Sequence, residues 1–168
     1  MRRIVLYLLF TGATVFSGCT MNYSFSGASI PPQLETVSVQ YFDNRAPVIY
    51  PSLSQELTDD LKDVFQSRTR LRLVNDIGDA DFEGFIEQYR TQPVSVQADE
   101  QANLERLTIS VRVSYTNTAD PEQDFETSFS RHEDYDARAG LEAVEAQLVE
   151  KIIDQLTEDI FNRAFVNW

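Results

Sequence analysis

The chain has 168 residues and a formal net charge of −13 at pH 7, from 14 basic and 27 acidic side chains. Such an acidic chain is a poor candidate for binding nucleic acid, because phosphate contacts depend on clustered Lys and Arg. Its length suits one domain with an ordinary hydrophobic core. It contains one cysteine, which excludes an intramolecular disulfide.

The N-terminus has the anatomy of a secretory signal peptide. Arg2 and Arg3 form a short positive region, and a mainly apolar run follows over residues 4–16. A Ser-Gly-Cys sequence ending at Cys19 closes the run with small residues and a thiol. The run is shorter than the roughly 20 residues that a membrane-spanning helix needs. We therefore expect residues 1–18 to be a cleaved signal peptide.

The sequence around the expected cleavage site resembles a bacterial lipobox, in which the cysteine receives a diacylglycerol and the peptide is cut just before it. Phe16 stands where the lipobox usually has an aliphatic residue. The resemblance implies that diacylglycerol and N-acyl chains are attached to Cys19, and we expect no other cofactor and no metal. Residues 19–33 are polar and contain two prolines, which predicts a lipidated tether before a single domain over 34–168.

The first half of the domain alternates between strand and helix patterns. Residues 34–42 predict a half-buried strand with Val37, Val39 and Tyr41 on one face. An amphipathic helix follows, with Ser52 or Ser54 as its N-cap. Its apolar face consists of Leu53, Leu57, Leu61, Val64 and Phe65. A short strand over 71–74 comes next.

The second half predicts a strand over 82–92, an antiparallel hairpin and a long helix. In the first of these strands, Phe85 and Tyr89 are expected on one face and Phe82 and Ile86 on the other. The hairpin and the helix are predicted at residues 107–116, 125–135 and 140–163. This order predicts an α+β, two-layer sandwich. Its sheet should be mainly antiparallel, with four to five strands, and two helices should cover one face.

Enzymatic signatures are weak. His132 is the only histidine, and its polar neighbours are typical of a solvated side chain. Asp79, Asp81 and Glu83 imitate the start of a calcium loop, but Arg90 occupies the twelfth position, where such a loop needs a bidentate Glu. A loop that leads into a strand explains these acidic residues better than a calcium site does. We expect no catalytic site, and therefore a protein that is not an enzyme.

The basic residues are scarce, and three of them lie on or near the predicted strands: Arg90, Arg106 and Arg112. Each is typical of a surface ion pair, which contributes about 0–1 kcal/mol. If the protein binds an anionic lipid, however, local cations must hold it against the negative charge of the whole chain. These three arginines are therefore our candidate ligand-binding residues.

Several stretches of the mature chain together resemble the LptE family of lipopolysaccharide-assembly lipoproteins, in its Bacteroidetes-like form. They are Tyr23–Gly27, Val37–Pro47, Leu53–Leu57, Phe82–Gly84 and Ser128–Arg131 before Asp134-Tyr135. The resemblance implies a non-enzymatic lipoprotein that plugs and helps assemble an LptD-type β-barrel translocon. It also implies binding of lipopolysaccharide for delivery to the outer leaflet.

The same resemblance implies attachment to the outer membrane through the lipid anchor, facing the periplasm and the barrel lumen. Thr20 fits this location, because it is not the Asp that favours inner-membrane retention in enterobacterial lipoproteins. Two alternatives stay open. One is a periplasmic accessory lipoprotein that regulates another envelope synthase or transporter, and the other is an enzyme acting on envelope polymers.

Overall fold

The computed structural model describes residues 30–48, 50–94 and 103–166, which form one sheet with two helices. The strands are β1 Thr36–Val39, β2 Asp43–Asn44, β3 Arg72–Leu73, β4 Ala80–Pro93, β5 Leu104–Asn117 and β6 Phe125–Asp136. The helices are α1 Leu53–Arg68 and α2 Leu141–Phe165, and 3₁₀ turns lie at Pro121–Gln123 and Ala137–Ala139. The predicted α+β fold of two helices and a sheet is therefore confirmed.

The sheet has the strand order β3-β1-β4-β5-β6, with β2 also pairing with β4. Strands β4, β5 and β6 are antiparallel, and the hairpin predicted for the last two is confirmed. Strand β1 pairs in parallel with β3 and β4, and β2 pairs in parallel with β4. The sheet therefore has six strands and is mixed rather than purely antiparallel, although its long strand pairs are antiparallel, as predicted. The parallel pairing of β1 with β3 follows from the connection between them, since α1 crosses over and returns the chain in the same direction.

The hydrophobic core lies between the helices and one face of the sheet. On β5 the alternating apolar residues are buried, as predicted, and both helices contribute their apolar stripes. Aromatic rings fill one end: Phe82 lies 4.4 Å from Phe65 and 4.7 Å from Tyr115 between ring centroids. All three side chains are at most 1% exposed. Burying a ring of this size contributes about 1.5–3 kcal/mol.

The predicted alternation of β4 is wrong in its second half because the strand contains a β-bulge. Its register against β5 shifts between Ile86 and Gln88, so Glu87 is an extra residue. The bulge moves Tyr89 to the helix side, where it is buried and donates a hydrogen bond of 2.5 Å to Glu145 on α2. Phe85, before the bulge, stays on the opposite face from Ile86. A bulge of this kind changes the face of every later residue.

The predicted position of Tyr41 is also wrong. Strand β1 ends at Val39, and the chain breaks its alternation before β2. Phe42, fully buried, occupies the core position that follows Val39, whereas Tyr41 is 56% exposed. The amide of Phe42 is bonded to the Thr58 hydroxyl of α1 at 3.2 Å, which anchors this break to the helix.

The helix boundaries agree closely with the predicted ones. Ser52 occupies the N-cap position of α1 without a side-chain capping bond, and Ser54 is buried inside the helix. Helix α2 begins after Gly140, whose φ of +74° is strained for other residues. Near its C-terminal half, Arg131 of β6 makes a bidentate pair with Asp159, both contacts 2.5 Å long. This pair connects the rim of the sheet to α2.

Asp79 joins the starts of β1 and β4. Its Oδ2 accepts hydrogen bonds from the backbone N–H groups of Glu35 and Thr36 at 3.0 Å and from the Thr36 hydroxyl at 2.8 Å. The Thr36 hydroxyl in turn accepts from the Asp79 amide at 2.8 Å. These bonds lower the pKa of Asp79, with the Thr36 hydroxyl the largest cause. The acidic residues here belong to a strand entry, as the sequence predicts.

Candidate functional site

Both helices lie on one side of the sheet, so the other side of β4, β5 and β6 forms a long polar surface that we call the open face. Strands β4 and β5 have 14 residues each, about 45 Å at 3.3–3.4 Å per residue. The outward residues of β4 are Asp81, Glu83, Phe85, Gln88, Arg90 and Gln92. Those of β5 and β6 are Arg106, Thr108, Ser110, Arg112, Ser114, Glu126, Ser128, Ser130, His132 and Asp134.

Hydroxyl groups occupy the middle of the open face. Ser110 on the central strand donates a hydrogen bond to the Ser130 hydroxyl at 2.9 Å and lies 3.5 Å from the Gln88 side-chain oxygen. Thr108 and Ser110 are at most 9% exposed although both helices lie on the opposite side, because longer side chains flank them. This centre can donate and accept hydrogen bonds but carries no charge.

Arg112 is held in a carboxylate cluster at one end of this surface. Its Nε lies 2.6 Å from Glu87 Oε1, and its Nη1 lies 3.6 Å from Glu126 Oε1. The second oxygen of Glu87 accepts from the Ser128 hydroxyl at 2.7 Å. The bonds from Ser128 and then Arg112 lower the pKa of Glu87. Glu87 is the bulged residue of β4, so the irregularity that redirects Tyr89 also supplies the partner of Arg112.

Arg106 forms a bidentate pair with Asp134 toward the other end. Its Nε lies 2.6 Å from Oδ1 and its Nη2 lies 2.9 Å from Oδ2. The two residues are direct neighbours in the register of β5 and β6. The pair lowers the pKa of Asp134, and the guanidinium bond is the main cause. Both charges of this arginine–carboxylate pair are therefore already matched.

Arg90 differs from the other two candidates. It is exposed on β4, and no described residue forms an ion pair or hydrogen bond with its side chain. It lies directly opposite Thr108, which lies opposite His132 on β6. The row Arg90–Thr108–His132 thus places one cation, one hydroxyl and one imidazole side by side, without a carboxylate in the row.

The structure brings all three predicted arginines to one face but not to one point. Arg106 and Arg112 are six residues apart on β5, which is about 20 Å. They cannot share one small anionic group. The fourth predicted site residue, Cys19, lies outside the described residues, as do the signal peptide and most of the tether.

The sequence reasoning missed the aromatic and cationic residues at the β1–β2 break. Arg45 lies over the ring of Phe85, with its guanidinium carbon 4.1 Å from the ring centroid. Tyr41 is exposed beside them, although its sequence position predicts the core face. The signal available in the sequence was the turn-forming stretch after Phe42, because such a stretch can change the phase of a strand.

A family model described as LptE, lipopolysaccharide-assembly, matches residues 34–164. The chain belongs to the LptE family. This is a family of lipopolysaccharide-assembly lipoproteins associated with the outer membrane. The matched segment runs from the start of the sheet to the last turn of α2, so it includes every strand of the open face.

Two solved structures illustrate the fold shared by this LptE-family chain. A minor lipoprotein from Acinetobacter baumannii is similar with a TM-score of 0.51 and 14% identity, covering 77% of this chain and 91% of that one. A hypothetical protein from Chlamydia trachomatis gives a TM-score of 0.53 and 12% identity, covering 77% and 95%. At these identities the likeness concerns the fold alone. Among curated proteins, none matches this sequence.

Two further observations concern the described part of the LptE-family chain. None of its helices is long and apolar enough to cross a membrane. Within residues 30–48, 50–94 and 103–166, no group of three or more His, Cys, Asp or Glu side chains is placed to hold a metal ion.

Proposed function

We propose that this LptE-family protein binds lipopolysaccharide on its open face and plugs and helps assemble an LptD-type β-barrel of the outer membrane. In this proposal acyl chains on Cys19 attach the protein to the periplasmic leaflet. The protein performs no catalysis; it acts by binding. Family membership and the lipobox-like N-terminus support the assignment.

The row Arg90–Thr108–His132 carries the lipopolysaccharide part of the proposal. Lipopolysaccharide presents phosphates and sugar hydroxyls, which call for a cation and for hydrogen-bonding groups. Arg106 and Arg112 are already neutralised by carboxylates, so recruiting either one for an anion would first break an existing pair. Arg90 needs no such exchange. Of the three candidate arginines, it is therefore the one we assign to a phosphate.

The polar character of the open face supports the barrel part. The interior of a large membrane β-barrel is polar, so a protein that fills it must present polar groups to the wall. The open face offers matched ion pairs and hydroxyls along about 45 Å of strand. Matched pairs can stay intact on burial, and Arg90, which has no ion-pair partner among the described residues, is the charge that a lipopolysaccharide phosphate would neutralise.

Lipopolysaccharide binding is tested with the full-length lipidated protein in detergent and labelled lipopolysaccharide. We expect Arg90→Gln to weaken binding about tenfold, as for the loss of one charge-assisted contact worth about 1.4 kcal/mol. Arg106→Gln is the matched control, since it removes the same charge from the same face, and it should change affinity less than twofold. Equal losses in the two variants would show that total charge, and not the Arg90 row, determines binding.

The barrel partnership is tested by purifying the tagged protein from outer membranes in mild detergent. We expect a large β-barrel in stoichiometric amount. Depletion of the protein from cells should leave that barrel misassembled and should stop lipopolysaccharide from reaching the outer leaflet. The control is Cys19→Ala, which should lose outer-membrane attachment and recover less barrel. Recovery with a synthase or transporter instead would favour the accessory-lipoprotein alternative.

A further inference from the structure

The β1–β2 break creates a depression at one end of the open face, which we call the Tyr41 pocket. It has a volume of about 390 Å³, within the range of small-molecule sites. Its walls include Tyr41, Asp43, Glu83, Arg45 and Arg112. They come from the β1–β2 break, from β2 and the residue after it, and from β4 and β5, so the pocket exists only because these separate segments meet here.

The charges around the Tyr41 pocket are mixed. Arg45 and Arg112 contribute two positive charges, and Asp43, Glu83 and Glu126 contribute three negative ones. Within this set Arg112 is paired with Glu126, and Glu87 beside the pocket is its second partner. A phosphate would face three carboxylates, and a cation would face two guanidinium groups. Neither kind of ion is matched by such walls, since like charges in contact disfavour binding. The pocket therefore suits a ligand without net charge.

The hydrogen-bonding groups of the pocket point to a ligand with many hydroxyls. Guanidinium groups only donate, carboxylates only accept, and Gln40 and Ser114 do both. A hydroxyl both donates and accepts, so it can bond to either kind of wall group. Several such groups within one depression can satisfy a set of ligand hydroxyls at once.

Tyr41 adds an aromatic surface. Its side chain is 56% exposed, whereas the other ring of the pocket, Phe85, already has the Arg45 guanidinium 4.1 Å above it. An exposed tyrosine with a polar tip and an apolar ring can pack against an apolar surface while its hydroxyl stays wet. A pyranose has both features, an apolar C–H face and a hydroxyl rim.

We propose that the Tyr41 pocket binds one or two sugar units, with a pyranose ring stacked on Tyr41 and its hydroxyls bonded to the carboxylate and guanidinium walls. This inference rests on the proposed function if the sugar belongs to lipopolysaccharide. The pocket lies about 20 Å from the Arg90 row, as measured along β5 from Ser114 to Thr108. One molecule carrying both phosphate and sugars can therefore reach both sites.

The experiment uses full-length lipidated protein in detergent and a delipidated, dephosphorylated core oligosaccharide, with binding followed by ligand-observed NMR. We expect Tyr41→Ala to weaken binding about tenfold and Tyr41→Phe to retain most of it, because the ring makes the contact. Ile77→Ala is the matched control, since Ile77 is 78% exposed and does not line the pocket. It should bind as the unmodified protein does.

A second arm replaces the core oligosaccharide with soluble peptidoglycan fragments, which present sugars from another envelope polymer. Binding of only the core sugars assigns the pocket to lipopolysaccharide, and binding of only the fragments assigns it to peptidoglycan. Equal binding by Tyr41→Ala and the unmodified protein overturns the inference. Binding of intact lipopolysaccharide to the unmodified protein tests the proposed function independently of the pocket. If intact lipopolysaccharide binds, the proposed function stands even when the pocket inference is overturned; if it does not bind, the proposed function is refuted as well.

Discussion

Among the glycines that the structure describes, Gly84 is the one at which an added methyl group should destabilise the fold most. A Cβ built at this residue would lie 2.1 Å from the Arg112 carbonyl oxygen and 2.7 Å from a ring carbon of Phe42. Phe42 is fully buried, so its ring cannot simply move outward. The clash with the carbonyl is a clash with the backbone of β5. The alanine variant must therefore separate β4 from β5 or displace the core.

The magnitude follows from this geometry. Ordinary van der Waals contacts of a Cβ begin near 3.4 Å, so β4 and β5 would have to move apart by about 1 Å. Adding a methylene to a packed core costs about 1–3 kcal/mol, and more when backbone moves. We expect Gly84→Ala to cost at least about 3 kcal/mol. In a domain of this size that lowers the Tm by about 6–12 °C.

Two other glycines provide controls for thermal and urea unfolding. A Cβ at Gly140 meets nothing within 4 Å, but its φ of +74° with a ψ of +142° strains an alanine by about 1–3 kcal/mol. A Cβ at Gly78 would lie 3.1 Å from the nearest backbone atoms of Val37 and Ser38, which calls for a displacement of only a few tenths of an ångström. We expect both alanine variants to be more stable than Gly84→Ala. A Gly84→Ala protein with a Tm within about 2 °C of the unmodified protein would refute the reasoning.

Two predictions concern carboxyl groups. Asp79→Ala should destabilise the protein by about 1–3 kcal/mol at pH 7. The pKa of Asp79 is lower in the folded state, so its stabilising effect is present above the unfolded-state pKa and is lost as pH falls through the folded-state pKa. The difference in free energy of unfolding between Asp79→Ala and the unmodified protein should therefore become smaller in urea titrations at low pH. Asp60 is the opposite case. Burial raises its pKa, and its Oδ2 has no hydrogen-bond partner among the described residues. The stability associated with protonated Asp60 is fully present below the unfolded-state pKa and is lost as pH rises through the raised folded-state pKa. We therefore expect Asp60→Asn to raise stability at pH 7, on the order of 1 kcal/mol, and to match the unmodified protein near pH 3. A variant that is less stable at pH 7 would contradict this.

The elements of the fold were predictable because each depends on local pattern. The alternation of β5 and the helical period of α2 identify their buried faces directly, since side chains repeat every two residues in a strand and every 3.6 in a helix. The same local signals predicted a sheet with one face covered by helices. Three arginines on the strands could likewise be selected from residue type and position.

Which of those arginines form ion pairs was not predictable from the sequence. Arg106 meets Asp134, 28 residues away, and Arg112 meets Glu87, 25 residues away, only through the register of neighbouring strands. The pairing neutralises two of the three candidates and leaves Arg90 available. A sequence pattern has no information about register between strands that are distant in the chain.

The sequence by itself determined the acidic character, the lipobox-like N-terminus, and the strands and helices that bury an apolar face. Only the tertiary structure decided the mixed pairing of the sheet, the bulge at Glu87 and the exposure of Tyr41. The bulge and the break change the phase of a strand by one residue, which costs little locally but turns the following side chains to the other face. Glu87 reaches Arg112 because of the first change, and Tyr41 lines an open pocket because of the second.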